Sequence, residues 1–434
     1  MTSHQPDAGV APVSTRALGA LDETGTPGSA SLGKAFRAGT ERTCDPDATF
    51  QRIRPLMREL GITRIANLTG LDIVGVPVVA VHRPNSRSLS VSQGKGISLA
   101  AARVSGLMES IETHHAENVR SPLFLGSYHE LRTRRRFARL DRLPRLTTSI
   151  FHPDLSTLWI AGTDLIEGSR LLVPYEMVHL DFRLPLPPGS GSFVMSSNGL
   201  ASGNHLFEAL SHAICELVER DANSVFQASG PAAQQRRALA LDSIDDDVCR
   251  ALVERFHRAD LLVGVWETTS DVGISSFSCT LVERDPQHAS PVPPVSGSGC
   301  HLSRSVALAR ALTEAAQGRL TLISGSRDDL SSSRFERDQI LAAGAQQREL
   351  IQAHAPTRRF AEAPECSKDG FDADVQWQLG RLANIGMHQV IAVNLTHPEL
   401  AVPVVRVIIP GLETMSELPG YVPGARARAA LGRG

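Results

Sequence analysis

Residues Ser197–Asp221 read SNGLASGNHLFEALSHAICELVERD. A Ser-Asn-Gly turn leads into a run with apolar residues at helical spacing. At 100° per residue, with Glu208 as zero, Glu216 falls at about 80° and Glu219 at about 20°. Leu206, Leu210, Ala213, Leu217 and Val218 lie between about 140° and 280° and form the core face. An exposed helix ordinarily sets Lys against Glu one turn apart, yet Leu206–Glu219 contains no Lys or Arg. Stacked like charges cost free energy unless a cation joins them.

The same unit occurs three times. Ser92-Gln93-Gly94-Lys95-Gly96 leads to Glu109 and Glu112, Ser197-Asn198-Gly199 leads to Glu216 and Glu219, and Ser298-Gly299 leads to Glu314 and Gln317. Counted from the glycine the spacings are 15 and 18, 17 and 20, then 15 and 18. In the first unit Ser105, Glu109 and Glu112 fall within about 60° of one another. An amphipathic surface helix also carries acids opposite an apolar stripe, but repetition after glycine turns with so little basic counterweight favours a shared Mg2+ site. Glycine turns with free N–H groups suit phosphate. Lys95 sits inside the first turn, and Arg220, Arg319 and Arg327 lie near the helix ends. Together these parts predict a nucleoside triphosphate site.

Outward from these units, strand and helix signals alternate, which predicts an α/β fold. Thr49–Leu60 reads as a helix ending at Gly61, and Val74–Val81 as a strand. Leu158–Ala161 with Arg170–Pro174, and Leu261–Trp266 with Phe277–Val282, read as strand pairs. Asp285–Pro294 reads as a loop, Asp328–Ser333 as a hydrophilic break before a helix reaching about His354, and Val390–Val393 and Val404–Ile409 as late strands. Arg132, Arg134, Arg135, Arg136 and Arg139 read as a solvated basic face. Residues 1–31 lack periodicity and read as a disordered arm, 32–424 as the folded domain with internal subdomains, and 425–434 as a flexible tail.

Composition narrows the class. The chain has 434 residues, 42% hydrophobic, with 44 Lys+Arg against 46 Asp+Glu. A net charge of −2 argues against a generally basic nucleic-acid binder. No apolar run reaches the length of a membrane span, and the N-terminus has no signal-peptide h-region. Six scattered cysteines without a C-x-x-C pair fit reduced thiols, so the expected location is the cytoplasm. The P-loop and kinase signatures are both absent. Glu112-Thr113-His114-His115 contains the Glu-x-x-His of di-iron bundles but lacks the required second copy, and no Cys or His at ligand spacing makes a zinc set. His205, His212 and His301 read as cap or surface histidines.

At this point the sequence resembles the YcaO family. Ser92–Gly96 with Ser105-x-x-x-Glu109-x-x-Glu112 is similar to its first signature. Asn198–Asn204 with Glu208-Ala209 and Glu216–Asp221 is similar to its second, and Ala311–Gln317 with Arg319 to its third. The resemblance runs from about residue 34 to 424. Arg83-Pro84-Asn85-Ser86-Arg87 and Gly325–Asp329 further resemble the branch that works with a TfuA-like partner.

The resemblance implies a YcaO-type fold of repeated strand–turn–helix units around ATP and Mg2+. It also implies ATP-dependent activation of a backbone amide in a ribosomal peptide or protein. By motif, Glu109, Glu112, Glu216 and Glu219 would hold Mg2+. Lys95, Ser105, Asn204, Glu208, Arg220, and Arg319 or Arg327, would contact nucleotide, with Lys34 and Arg42 as weaker phosphate candidates. A nucleophile adds to the carbonyl, the oxyanion takes the γ-phosphoryl of ATP, and phosphate leaves. Sulfide as nucleophile gives a thioamide; a neighbouring Cys, Ser or Thr gives an azoline. Azoline-forming members often end in a Pro-x-Pro-x-Pro tail, whereas here Leu418–Gly424 is followed by Ala and Arg residues. That departure and the TfuA-branch motifs favour thioamidation, with cyclodehydration as the alternative and a non-catalytic nucleotide-binding scaffold as the weaker one. No residue identifies itself as a general base. No leader-binding winged-helix module is evident, so recognition is expected to need a partner, and a homodimer is a further expected association.

Overall fold

The computed structural model describes residues 33–285, 292–325, 335–353 and 355–432. The expected N-terminal arm, most of the Asp285–Pro294 loop, the Asp328–Ser333 break and His354 lie outside the described residues. The strands are β1 (Arg64–Asn67), β2 (Val78–His82), β3 (Val91–Lys95), β4 (Leu123–Gly126), β5 (Thr157–Asp164), β6 (Arg170–Pro174), β7 (Leu200–Ser202), β8 (Leu261–Glu267), β9 (Ser276–Glu283), β10 (Val295–Cys300), β11 (Ile391–Asn394) and β12 (Val404–Ile408). The helices are α1 (Pro46–Ile53), α2 (Leu99–Glu117), α3 (Tyr128–Leu131), α4 (Leu206–Ala228), α5 (Pro231–Gln235), α6 (Asp247–Arg258), α7 (Arg304–Ser324), α8 (Arg337–Gln352), α9 (Phe371–Asn384) and α10 (Ala425–Leu431). The fold is mixed α/β, as expected.

Three antiparallel sheets organise it, in the orders β1-β2-β3, β4-β5-β11-β12-β7 with β6 added on β5, and β10-β9-β8. Each sheet ends in a strand that feeds a long helix: β3 into α2, β7 into α4 and β10 into α7. The connection is three residues in every case, 96–98, 203–205 and 301–303. Thus the threefold sequence pattern is a repeated strand–turn–helix architecture.

The glycines have a different job from the one expected. Gly94 and Gly299 lie within β3 and β10 rather than in turns. A Cβ on Gly94 would sit 2.1 Å from the Ala102 carbonyl oxygen and 2.2 Å from the Gly106 nitrogen. A Cβ on Gly299 would sit 2.1 Å from the Ala307 carbonyl oxygen. Here glycine lets a helix backbone lie directly on its parent strand. Only Ser197–Gly199 forms the turn the sequence suggests, with Gly199 at φ +75°. The caps follow local chemistry: the Ser98 side chain accepts from Ala101 N–H on α2, and the His205 ring accepts from Phe207 N–H on α4.

Other departures have local causes. The first helix passes into a 3-10 turn at Arg54–Met57, where Pro55 cannot donate to an α-helical ladder. β2 starts at Val78 because Gly75 at φ +70° and Pro77 interrupt the apolar run. Residues 425–431, expected as part of a flexible tail, form α10. Among the described residues no helix is long and apolar enough to cross a membrane. One buried cluster joins α2 to the large sheet through Ile111, Trp159 and Val404. Another packs α4 against α9 and the opposite sheet face through Ile214, Leu379 and Val407.

Candidate active site

Faces of α2, α4 and α7 line one cleft of about 960 Å3, together with β3 and residues from 38 to 49. Glu109 and Glu112 come from α2, Glu216 and Glu219 from α4, and Glu314 and Gln317 from α7. Lys95, Ser105, Asn204, Glu208, Arg220 and Arg42 line the same space. The structure therefore brings together all four predicted metal ligands and most of the predicted nucleotide contacts.

Hydrogen bonds fix several of these groups. Glu112 Oε1 accepts from the Ser202 amide at 2.8 Å and its hydroxyl at 2.7 Å, tying α2 to β7. Glu208 Oε2 accepts from the Thr43 amide and hydroxyl at 3.1 and 2.7 Å, and Arg42 lies 3.7 Å from its Oε1. Asn204 Oδ1 accepts from Thr49 at 3.1 Å and Arg52 at 2.7 Å. Lys95 Nζ reaches Glu314 at 2.6 Å, joining the first and third units. Arg220 lies 3.7 Å from Glu216 and 3.5 Å from Glu219.

The electrostatics divide the carboxylates into two kinds. Burial pushes Glu112 up to about 8, against the Ser202 hydroxyl and with added repulsion from Glu109 and Glu216. Burial also raises Glu216 and Glu219, although Arg220 and Arg310 pull the other way. Glu314 is the opposite case: burial opposes its charge, but Lys95 and Arg220 prevail and hold it at about 2. One wall thus carries carboxyls that lack enough positive charge, whereas the wall facing β3 carries a neutralised carboxylate.

Three sequence-predicted residues have other fates. Lys34 is buried outside the cleft lining, with its ammonium 2.6 Å from each of Glu41, Asp374 and the Ser367 hydroxyl, so it is a structural cation. Arg319 is also absent from the lining and pairs with Asp72 at 2.9 Å and Glu283 at 3.0 Å. Five residues beyond Glu314, it projects about 140° around α7, away from the cleft. Arg327 lies outside the described residues.

Sequence reasoning missed Arg310 and His212. Arg310 lines the cleft one turn before Glu314, a spacing that places both on one face of α7. His212 stands between Glu208 and Glu216, one turn from each, and lines the cleft instead of capping a helix. Burial and the nearby Arg310 and Arg42 hold its ring well below the usual histidine range, so it is neutral. His205 does cap α4, as expected.

The residues present fit a metal–triphosphate group. Among the described residues Glu219 Oε2, Arg220 Nε and Arg310 Nε are buried without hydrogen-bond partners beside the cleft, and such groups ordinarily have one. Among the described residues no three His, Cys, Asp or Glu side chains converge to enclose a cation. Mg2+ suits this arrangement, because it binds through one or two carboxylates and completes its shell with phosphate oxygens and waters.

Comparison with known proteins agrees with this geometry. Residues 93–413 match the sequence model of a family described as YcaO cyclodehydratase, ATP- and Mg2+-binding. An uncharacterized protein in the tfuA 3' region of Rhizobium leguminosarum bv. trifolii is 38% identical over 385 residues, covering 86% of this chain and 89% of the relative. An uncharacterized protein of Mycobacterium tuberculosis H37Rv is 34% identical over 419 residues, covering 94% of this chain and 89% of the relative. The YcaO structure from Methanopyrus kandleri bound with AMPPCP and Mg2+ superposes with a TM-score of 0.69 at 21% identity, covering 91% of this chain and all of that one. A heterocyclase in complex with substrate and cofactor superposes with a TM-score of 0.70 at 21% identity; the match covers 89% of this chain and spans 54% of the heterocyclase. The chain belongs to the YcaO family of ATP- and Mg2+-binding, peptide-modifying enzymes.

Proposed function

We propose that the chain uses ATP to activate the oxygen of a peptide-backbone amide and, with a TfuA-like partner and a sulfur donor, yields a backbone thioamide. The observation that carries the ATP-dependent part is the cleft in which two acidic pairs, Glu109/Glu112 and Glu216/Glu219, meet Lys95, Arg220 and Arg310. The relative encoded in a tfuA 3' region supports the thioamide part. ATP with Mg2+ would supply the phosphoryl group that turns an amide oxygen into a leaving group. The Glu109/Glu112 and Glu216/Glu219 pairs would each hold a Mg2+ ion, with phosphate oxygens and waters completing its shell. Lys95, Arg220 and Arg310 would neutralise phosphate charge, while Ser105, Asn204 and Glu208 would border the nucleotide. Lys95 is kept in place by Glu314, and Glu112 by Ser202. The neutral His212 can accept a hydrogen bond from the reacting groups or donate one to them.

The second reading, azoline formation, is favoured by the cyclodehydratase description of the family and by the heterocyclase neighbour. The test is to incubate the chain with ATP, Mg2+, sulfide, a TfuA-like protein and the peptides encoded beside its gene, then weigh the product. Exchange of oxygen for sulfur supports the proposal, and loss of one water supports the alternative. Unmodified peptides with unconsumed ATP would sink both. Glu216→Gln is expected to abolish turnover while the chain remains folded.

A further inference from the structure

Asp221 closes the Glu-Arg-Asp sequence whose first two members, Glu219 and Arg220, face the cleft, but it does not line that space itself. Its side chain has no exposure. Arg426, from α10, grips both carboxylate oxygens, with Nε at 2.7 Å from Oδ1 and Nη2 at 2.9 Å from Oδ2. The Glu413 amide donates to the same Oδ1 at 3.0 Å. Glu413 in turn organises the segment that delivers Arg426. It accepts from the Tyr421 hydroxyl at 2.6 Å and from the amides of Gly424, Arg426 and Ala427 at 2.8, 3.0 and 2.9 Å.

The grip continues along α4 at three-residue intervals. Ser224 donates to the Thr414 carbonyl, and Gln227 meets Ser416 and Glu417. Between these contacts Met415 reaches the cleft lining. One side of the α4 C-terminal half is therefore bonded to residues 413–426, while the adjoining side presents Glu216, Glu219 and Arg220. Bidentate Arg–carboxylate geometry fixes orientation as well as distance.

We propose that Arg426 is a positioning residue: through Asp221 it sets the rotation of α4 that presents Glu216, Glu219 and Arg220 to the metal–nucleotide group. In this arrangement the docked, Arg-bearing α10 supplies the rigidity at this wall. The inference rests on the reading that this wall holds the cation, and not on the fate of the amide.

Calorimetry of AMPPCP binding to the full chain, with and without Mg2+ and with no peptide present, tests it. Arg426→Ala is expected to reduce the Mg2+-dependent gain in AMPPCP affinity at least tenfold, beyond the smaller Mg2+-independent loss that a displaced Arg220 brings. Arg426→Lys should recover part of the gain, and Arg428→Ala, on the same helix, should match the unaltered chain. If Arg426→Ala does not fold, Asp221→Asn combined with Arg426→Ala removes the unpaired buried charge and is held to the same criterion. An unchanged Mg2+ gain would overturn the proposal. An equal loss with and without Mg2+ leaves that gain unchanged and is the signature of general damage. Since no peptide enters the assay, failure of the thioamide reading leaves this result standing.

Discussion

Glu112 provides a quantitative handle on the acidic wall. Its carboxyl is pushed up to about 8, chiefly by burial, so without a cation it is protonated in roughly nine of ten molecules at pH 7. A carboxyl must lose its proton to ligate Mg2+. Displacing that proton at pH 7 costs about 1.4 kcal/mol, equivalent to a tenfold loss of apparent affinity. The sign follows: a raised pKa means that cation binding strengthens as pH rises towards 8 and levels off above it. Titration with Mg2+ and AMPPCP in two buffers of different ionisation enthalpy, at pH 7 and pH 9, measures both quantities. The expected result is release of about one proton at pH 7 and almost none at pH 9, with about tenfold tighter binding at pH 9. Glu112→Gln is the control. It keeps the shape and neutrality of the protonated acid, so the chain stays folded, while this proton release disappears and cation affinity falls. Proton release that is the same at both pH values, or unaffected by Glu112→Gln, would refute the assignment of Glu112 as a ligand that must ionise.

Three further outcomes follow from the geometry. Gly94→Ala forces a methyl onto backbone atoms of α2 and is expected to cost at least about 1–3 kcal/mol in denaturant unfolding, whereas Gly70→Ala, with no atom within 4 Å, should change little. Arg319→Ala leaves the largely buried Asp72 and Glu283 without their guanidinium and is expected to cost about 3–5 kcal/mol, with AMPPCP affinity of the folded fraction unchanged. Burial holds His115 at about 3 and His179 at about 4, below their unfolded range, so the unfolded chain binds more protons once pH falls below about 6.5. The contribution of these two histidines should therefore fall between pH 6.5 and 4, by up to about 3 kcal/mol for His179 alone and against the gain from the raised carboxyls, and His179→Gln should shift the pH dependence of stability by that amount.

Much of the site was legible because the recurrence of acids after Ser/Gly stretches encodes both architecture and chemistry. A helix laid on its parent strand needs glycine where backbones touch, and its opposite face is then free to carry Glu109, Glu112, Glu216, Glu219 and Glu314. The same close packing explains why Gly94 and Gly299 suggested phosphate-binding turns: glycine permits either, and only the register of β3 and β10 decides. Cations were harder to place. Lys34 and Arg319 carry the charge a phosphate site needs, but Asp374 and Asp72 reach them from segments far away in sequence, beside Glu41 and Glu283, and spacing along one helix does not reveal those partners. Arg310 was within reach of the helical argument, since it precedes Glu314 by one turn on the face that Lys95 meets. Asp221 marks the remaining gap. Its charge lies beside the acidic wall in sequence, yet its partner stands 205 residues away on α10, so helix periodicity could place Asp221 on α4 but could not name Arg426. Local pattern thus located the groups that would face a ligand, whereas the groups that hold them at the right angle are supplied by tertiary contact. The near-zero net charge of the chain conceals this division. Acids aimed at a cation share the cleft with arginines and a lysine aimed at phosphate, and more cations stand behind them, neutralising the carboxylates of the frame.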